Sequence, residues 1–88
     1  MNKLKLIELA NQIDAYGNPK AFQISFWDEE GKDRNIPKAV IGISLKKRKV
    51  NAKDLNGNFK IKDLATDQIK TIHSWLIISV NHQEYHGL

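Results

Sequence analysis

Lys49-Val50-Asn51-Ala52-Lys53-Asp54-Leu55-Asn56-Gly57-Asn58-Phe59-Lys60-Ile61-Lys62 is the stretch on which the fold hinges. Asn56-Gly57 is its strongest local signal, because Asn-Gly accommodates the two positive φ values of a type I′ hairpin turn. A two-residue turn there pairs Leu55 with Asn58, Lys53 with Lys60, Ala52 with Ile61 and Asn51 with Lys62. Side chains alternate along a strand, so Val50, Ala52, Phe59 and Ile61 share one face. Lys49, Asn51, Lys53, Lys60 and Lys62 share the other. The expectation is an amphipathic hairpin with an apolar side and a lysine side.

Toward the N-terminus, residues 39–45 read as a strand with Ala39, Ile41, Ile43 and Leu45 on one face. Those positions are odd, whereas Val50 and Ala52 are even. A regular strand cannot change parity, so a bulge or sharp bend is expected within Lys46–Lys49. Residues 21–28 alternate cleanly, with Phe22, Ile24 and Phe26 opposite Gln23, Ser25 and Trp27. Glu29-Glu30-Gly31-Lys32 supplies the turn that follows, and Pro37 belongs at an edge or ahead of regular pairing because it has no ladder donor. Residues 2–15 carry Leu6, Leu9, Ala10 and Ile13 at helical spacing, with Asn2 as cap and Gly17-Asn18-Pro19 beyond the end, while the alternation of Leu4 and Leu6 leaves a short strand as the competing reading.

Toward the C-terminus, residues 64–74 fit either a short helix capped by Thr66 or Asp67 or a strand over Gln68–Ile72. Residues 75–80 read as a strand with Leu76, Ile78 and Val80 on one face and Trp75 and Ile77 on the other. Asn81-His82-Gln83-Glu84 is a turn, and Tyr85–Leu88 a closing strand. The sum is an α+β, mostly β fold in one domain, 1–88. A helix (2–15) precedes a β-rich core (20–88) arranged as a five- or six-stranded antiparallel meander or small SH3-like barrel. Val40, Trp75 and Ile77 are apolar on the face away from that core. Either the helix covers them, or they form an interface with a partner or a second copy of the chain.

Bulk properties narrow the function. A chain of 88 residues builds a modest core and does not enclose a deep cavity as well. It has no Cys, which removes disulfides and thiolate metal sites and favours a cytoplasmic or virion setting. The apolar stretch after Lys3 and Lys5 is interrupted by Glu8 and Asn11, so no secretory leader is read, and no run is long enough for a membrane span. The net charge of +4 is unevenly spread. Residues 1–44 hold six cations and six anions, whereas residues 45–88 hold eight and four. Between Lys46 and Lys62 stand seven cations and one anion, Asp54. The asymmetry points to an acidic partner, nucleic acid before acidic protein; the plainer explanation is a face charged against strand-to-strand aggregation. Lys47, Lys49, Lys53, Lys60 and Lys62 would contact phosphate, with Arg48 at the bend and Trp27 as a stacking surface. Phe59 is assigned to the core.

No catalytic residues are assigned. Ser25, Ser44, Ser74 and Ser79 have no nucleophile-elbow context, Asp28 and Glu29 sit in a turn, and no phosphate loop or dinucleotide fingerprint occurs, so no cofactor is expected. His82, Glu84 and His86 would share a face of an extended strand, but the turn at Asn81–Glu84 separates them. Phe26-Trp27-Asp28-Glu29-Glu30-Gly31, followed by a basic strand and by Leu76-Ile77-Ile78-Ser79-Val80-Asn81-His82-Gln83-Glu84-Tyr85, resembles small uncharacterised β-rich proteins of bacterial phages and mobile elements. The likeness runs over 22–88 as a pattern of strands and turns. It implies a β-rich fold and no activity, and it raises the alternative of a structural or inhibitory subunit that interacts through Trp75, Ile77 and the helix.

A protein without thiolates and with a broken His82/Glu84/His86 set should not need metal to fold. Its melting temperature should be the same with and without a chelator. A drop that zinc restores would assign those three residues to a metal site.

Overall fold

In the computed structural model, which describes residues 1–46 and 48–86, the alternation over 21–28 becomes strand β1 (Phe22–Trp27). Asp28 closes the turn after it. Its Oδ1 accepts the Glu30 and Lys32 amides, both at 2.9 Å, while Gly31 takes φ +75°. Strand β2 (Asp33–Ile41) returns antiparallel to β1. The register slips between Phe22↔Ala39 and Ile24↔Ile36, so Pro37 and Lys38 form a bulge opposite Gln23. Pro37 therefore lies in a bulge within the strand, ahead of the regular pairing of β2 with its second neighbour, as expected. Its missing amide costs no ladder bond there, and pairing of β2 with the next strand begins only at Ala39.

The parity change expected at Lys46–Lys49 comes earlier. β2 stops at Ile41 and the chain turns into a 3-10 helix over Gly42–Lys46, so residues 39–45 are not one strand. Gly42 fits because the chain passes so close to Lys60 that a Cβ would lie 3.2 Å from its carbonyl oxygen. Ile43 is half-buried and Leu45 exposed, while Val40, expected on the outer face, is 2% exposed.

The Asn56-Gly57 hairpin is overturned. Asn51 accepts the Lys53 and Asp54 amides, and Asp54 accepts the Asn51 amide at 2.9 Å, a reciprocal cap that winds Ala52–Leu55 into a 3-10 turn. Leu55 is thereby carried into the core at 1% exposure. Asn56 then sits at φ −84°, ψ 128° and only Gly57 is positive, at φ +70°. Those signs belong to a type II turn, not type I′. Local capping and the burial of Leu55 outweigh the propensity of the dipeptide. Strand β3 (Asn58–Asp63) pairs instead with β2 and with β4 (Gln68–His73), so 64–74 resolves as a loop and a strand.

After β4 the 3-10 turn Ser74–Leu76 leads into β5 (Ile77–Val80), which pairs with the far side of β1. Trp75 and Leu76 are thus not part of a strand. A second slip, between Ser25↔Ser79 and Phe26↔Ile77, inverts parity within β5. Ile77 and Val80 both reach the core, so the expected set Leu76, Ile78 and Val80 does not share a face. The type I′ geometry appears after β5, where Asn81 and His82 have φ 50° and 62° between paired Val80 and Gln83. Strand β6 is Gln83–Glu84, earlier than the predicted 85–88; Gly87 and Leu88 lie outside the described residues. Gln23 fastens this turn. Its amide donates to Asn81 Oδ1 at 3.0 Å and its Oε1 accepts the His82 amide at 2.8 Å.

The sheet has six antiparallel strands in the order β4-β3-β2-β1-β5-β6 and does not close into a barrel. Helix α1 (Lys3–Ala10) is capped by Asn2 and presents Leu6 and Ala10 to the core. It is shorter than 2–15 because Asn11 leaves helical geometry, exchanging two 2.8 Å hydrogen bonds with the Val50 main chain. Ile13 pairs with Pro19 in a small exposed turn rather than extending the helical face. The first and last described segments meet: His86 donates to the Met1 carbonyl at 2.7 Å, and Asn2 bridges His86 in parallel.

His82 holds a positive φ without being glycine. His82→Gly should relieve that strain and create Asn-Gly where the type I′ turn exists, raising stability by about 0.5–1 kcal/mol in denaturant titration. A loss of stability would show that the imidazole contributes more than its backbone strain costs.

Candidate binding surfaces

The cations of 46–62 do not form one hairpin face. Lys60 and Lys62 alternate with buried Phe59, Ile61 and Asp63 on β3, so both point outward. Lys49 is exposed in the segment before Val50, and Lys53 lies on the 3-10 turn. No cross-strand pair joins Lys53 to Lys60, because β3 has β2 and β4 as neighbours. Lys47 lies outside the described residues. Lys62 is half-buried and bonded to Asp67 Oδ1 at 2.6 Å across the β3–β4 loop, so its charge is already matched.

What the fold does assemble is a groove of about 460 Å³ between the Gly42–Lys46 turn and the outer side of β3 and β4. Lys46, Arg48 and Lys60 line it, and none is ion-paired among the described residues. Ile43, Leu45 and Ile69 supply apolar walls, with Leu45 40% and Ile69 64% exposed. Asp54 also borders the groove, but one of its carboxylate oxygens is engaged by the Asn51 amide. Arg48 is shared with an adjoining depression of about 370 Å³ beside the end of α1, which Lys49, Asn11 and Ile13 line as well. Lys46, Leu45 and Ile69 complete the groove and were not among the predicted contacts. The alternation of Ile69 with Lys70 was the only sign of it, and it required 64–74 to be a strand.

Trp27 is 46% exposed but belongs elsewhere. It lines a second cleft, also about 460 Å³, with Phe26, Ile72, Leu76 and Lys70. The other wall there is acidic, made by Asp28, Glu29 and Glu30. Trp27 thus lines a different cleft from Lys46, Arg48 and Lys60. Arg34 Nε bonds Asp28 Oδ2 at 2.7 Å, and Lys32 lies 3.5 Å from Glu30. The Arg34 bond, then the Lys32 amide, hold the Asp28 carboxyl below its usual range.

The predicted Val40/Trp75/Ile77 interface is also corrected. Val40 and Ile77 are buried at 2% and 7%, leaving only Trp75 outward at 85%. The helix does not cover Trp75; its ring meets His73 edge-on, centroids 5.6 Å apart. His82 lies in the β5–β6 turn, Glu84 on β6 and His86 at the Asn2 bridge, and no group of three metal-ligating side chains converges among the described residues. Among the described residues no helix is long and apolar enough to cross a membrane. Comparison with protein families, with curated proteins and with solved structures finds no match.

The lowered Asp28 carboxyl has a consequence for stability. A folded-state pKa below the ordinary 3.8 contributes stability that is complete above that value and is lost as pH falls through the depressed one. Asp28→Asn should lower the melting temperature at neutral pH, and the difference from wild type should vanish well below pH 3.8. A difference that persists unchanged in acid would mean that the carboxylate charge contributes nothing.

Proposed function

We propose that the protein is a non-catalytic binding module that takes an acidic, amphipathic segment of another protein into the groove between the Gly42–Lys46 turn and β3–β4. The observation that carries this is the convergence of three cations without an ion pair among the described residues, Lys46, Arg48 and Lys60, on a groove with exposed aliphatic walls from Leu45 and Ile69. A purely solvated basic face needs no such walls, and single-stranded nucleic acid would favour aromatic ones. Aliphatic side chains beside cations suit carboxylates interspersed with leucine-like residues.

Nucleic acid is the second reading. It is favoured by the charge of the 46–62 segment, where Lys49 and Lys53 add cations that have no ion pair among the described residues. The two differ in salt response and in dependence on the aliphatic walls. Counterion release makes nucleic-acid affinity fall steeply with salt, while burial of apolar surface does not.

Fluorescence anisotropy with a labelled acidic amphipathic peptide and with single- and double-stranded oligonucleotides tests this. Changing Lys46, Arg48 and Lys60 together to Gln should weaken the peptide about tenfold or more, taking roughly 0.5 kcal/mol per exposed charge. Ile69→Ser should weaken the peptide and spare an oligonucleotide. Binding of oligonucleotide alone, indifferent to Ile69→Ser, would replace the first reading by the second; peptide binding unmoved by either change would remove the groove.

A further inference from the structure

The second cleft lies along an open sheet edge. β4 is an end strand, and among the described residues no hydrogen bond reaches the main-chain groups on the side away from β3. The opposite edge is finished differently: β6 has two residues, and the bridge between Asn2 and His86 follows it at once. β4 has six residues, all in register with β3, and no proline. Such a row of unpaired amides and carbonyls is complementary to one thing, the main chain of another strand.

The cleft restricts what that strand belongs to. Its far wall is the chain's own β1–β2 hairpin, with about 460 Å³ between that wall and β4. Along β4 the cleft-facing residues are Lys70 and Ile72, which stand opposite the core residues Ile61 and Phe59. Lys70 is half-buried and has no ion pair among the described residues. An inward-facing lysine on an edge strand deters indiscriminate pairing. It favours a strand that brings a carboxylate opposite it, because Asp28 and Glu30 of the far wall already have Arg34 and Lys32 as partners, leaving Glu29 as the one acid of that wall without an ion pair among the described residues. One step along the same face, Trp27 and Leu76, 46% and 39% exposed, present apolar surface beside the buried Ile72.

We infer that β4 is a strand-addition site for an extended peptide segment of a partner protein. Its cleft-facing residues are an acidic side chain beside Lys70 and, two positions away, an apolar one against Ile72, Trp27 and Leu76. Alternate main-chain groups of the segment pair with those of β4, making it a seventh strand. This site is separate from the basic groove and does not rest on its function.

The test uses the isotope-labelled full chain and a synthetic peptide alternating threonine with cleft-facing glutamate and leucine. Amide signals of Gln68–His73 should shift and gain exchange protection, and N-methylation of alternate peptide amides should abolish the effect, since it removes main-chain donors and leaves side chains in place. Lys70→Glu should weaken the peptide about tenfold and improve its lysine-for-glutamate counterpart by a similar factor. The Lys46/Arg48/Lys60 glutamine variant should bind it like wild type, so loss of the groove reading leaves this one standing. Unmoved β4 signals at millimolar peptide, or equal binding by the N-methylated peptide, would overturn the inference. So would β4 protection in the protein alone that grows with its concentration, which would make a second copy the occupant.

Discussion

Everything in this sheet answers to the shortness of the link between β4 and β5. Four strand-to-strand steps separate them, about 19 Å across a flat sheet at the usual spacing. Only Ser74–Leu76 joins them, and a link of that length reaches at most about 14 Å even when extended. Here it is wound into a 3-10 turn and reaches less. The sheet must therefore curl until the end of β4 approaches the start of β5. The bulges at Pro37-Lys38 and at Ile78 supply that curvature where β1 meets each neighbour. The hydrogen bond from the Ser74 amide to the Gly57 carbonyl at 2.9 Å anchors the turn to the start of β3.

The same geometry separates charge. On the outer side, the turn that begins at Gly42 sets Lys46 and Arg48 beside Lys60. Near the unclosed seam, curling brings the acidic tip of the first hairpin across from Lys70. β4 contributes to both places, Ile69 to the first and Lys70 to the second. Its alternation gives one strand two chemically different surroundings.

Where the sequence spoke through periodicity, it was legible. The alternation of Phe22, Ile24 and Phe26, the turn at Gly31, the cap at Asn2 and the burial of Phe59 and Ile61 are all found. What was not legible lay where one local device overrode another. The Asn51–Asp54 reciprocal cap defeated Asn56-Gly57, and with it the single lysine face. The slip at Ile78 turned Ile77 inward and dissolved a surface drawn from strict alternation. The basic groove was out of reach for a further reason: it joins residues some twenty positions apart, such as Lys46 and Ile69, whose meeting depends on which strands become neighbours.

Gln23 stands at the point where the chain's ends and middle are tied together, and its placement has a bearing on synthesis. β1 gains its first neighbour, β2, from residues that follow within one turn, but its second, β5, lies some fifty residues downstream. A nascent chain emerging in order exposes Phe22, Ile24 and Phe26 on a strand with one bare edge until Ile77–Val80 has left the ribosome. The amide that will receive Asn81 has no ladder partner opposite it in the bulge meanwhile. The last quarter of the chain thus decides when the first strand becomes safe, and slow translation of that quarter would lengthen the interval in which misassembly competes with folding.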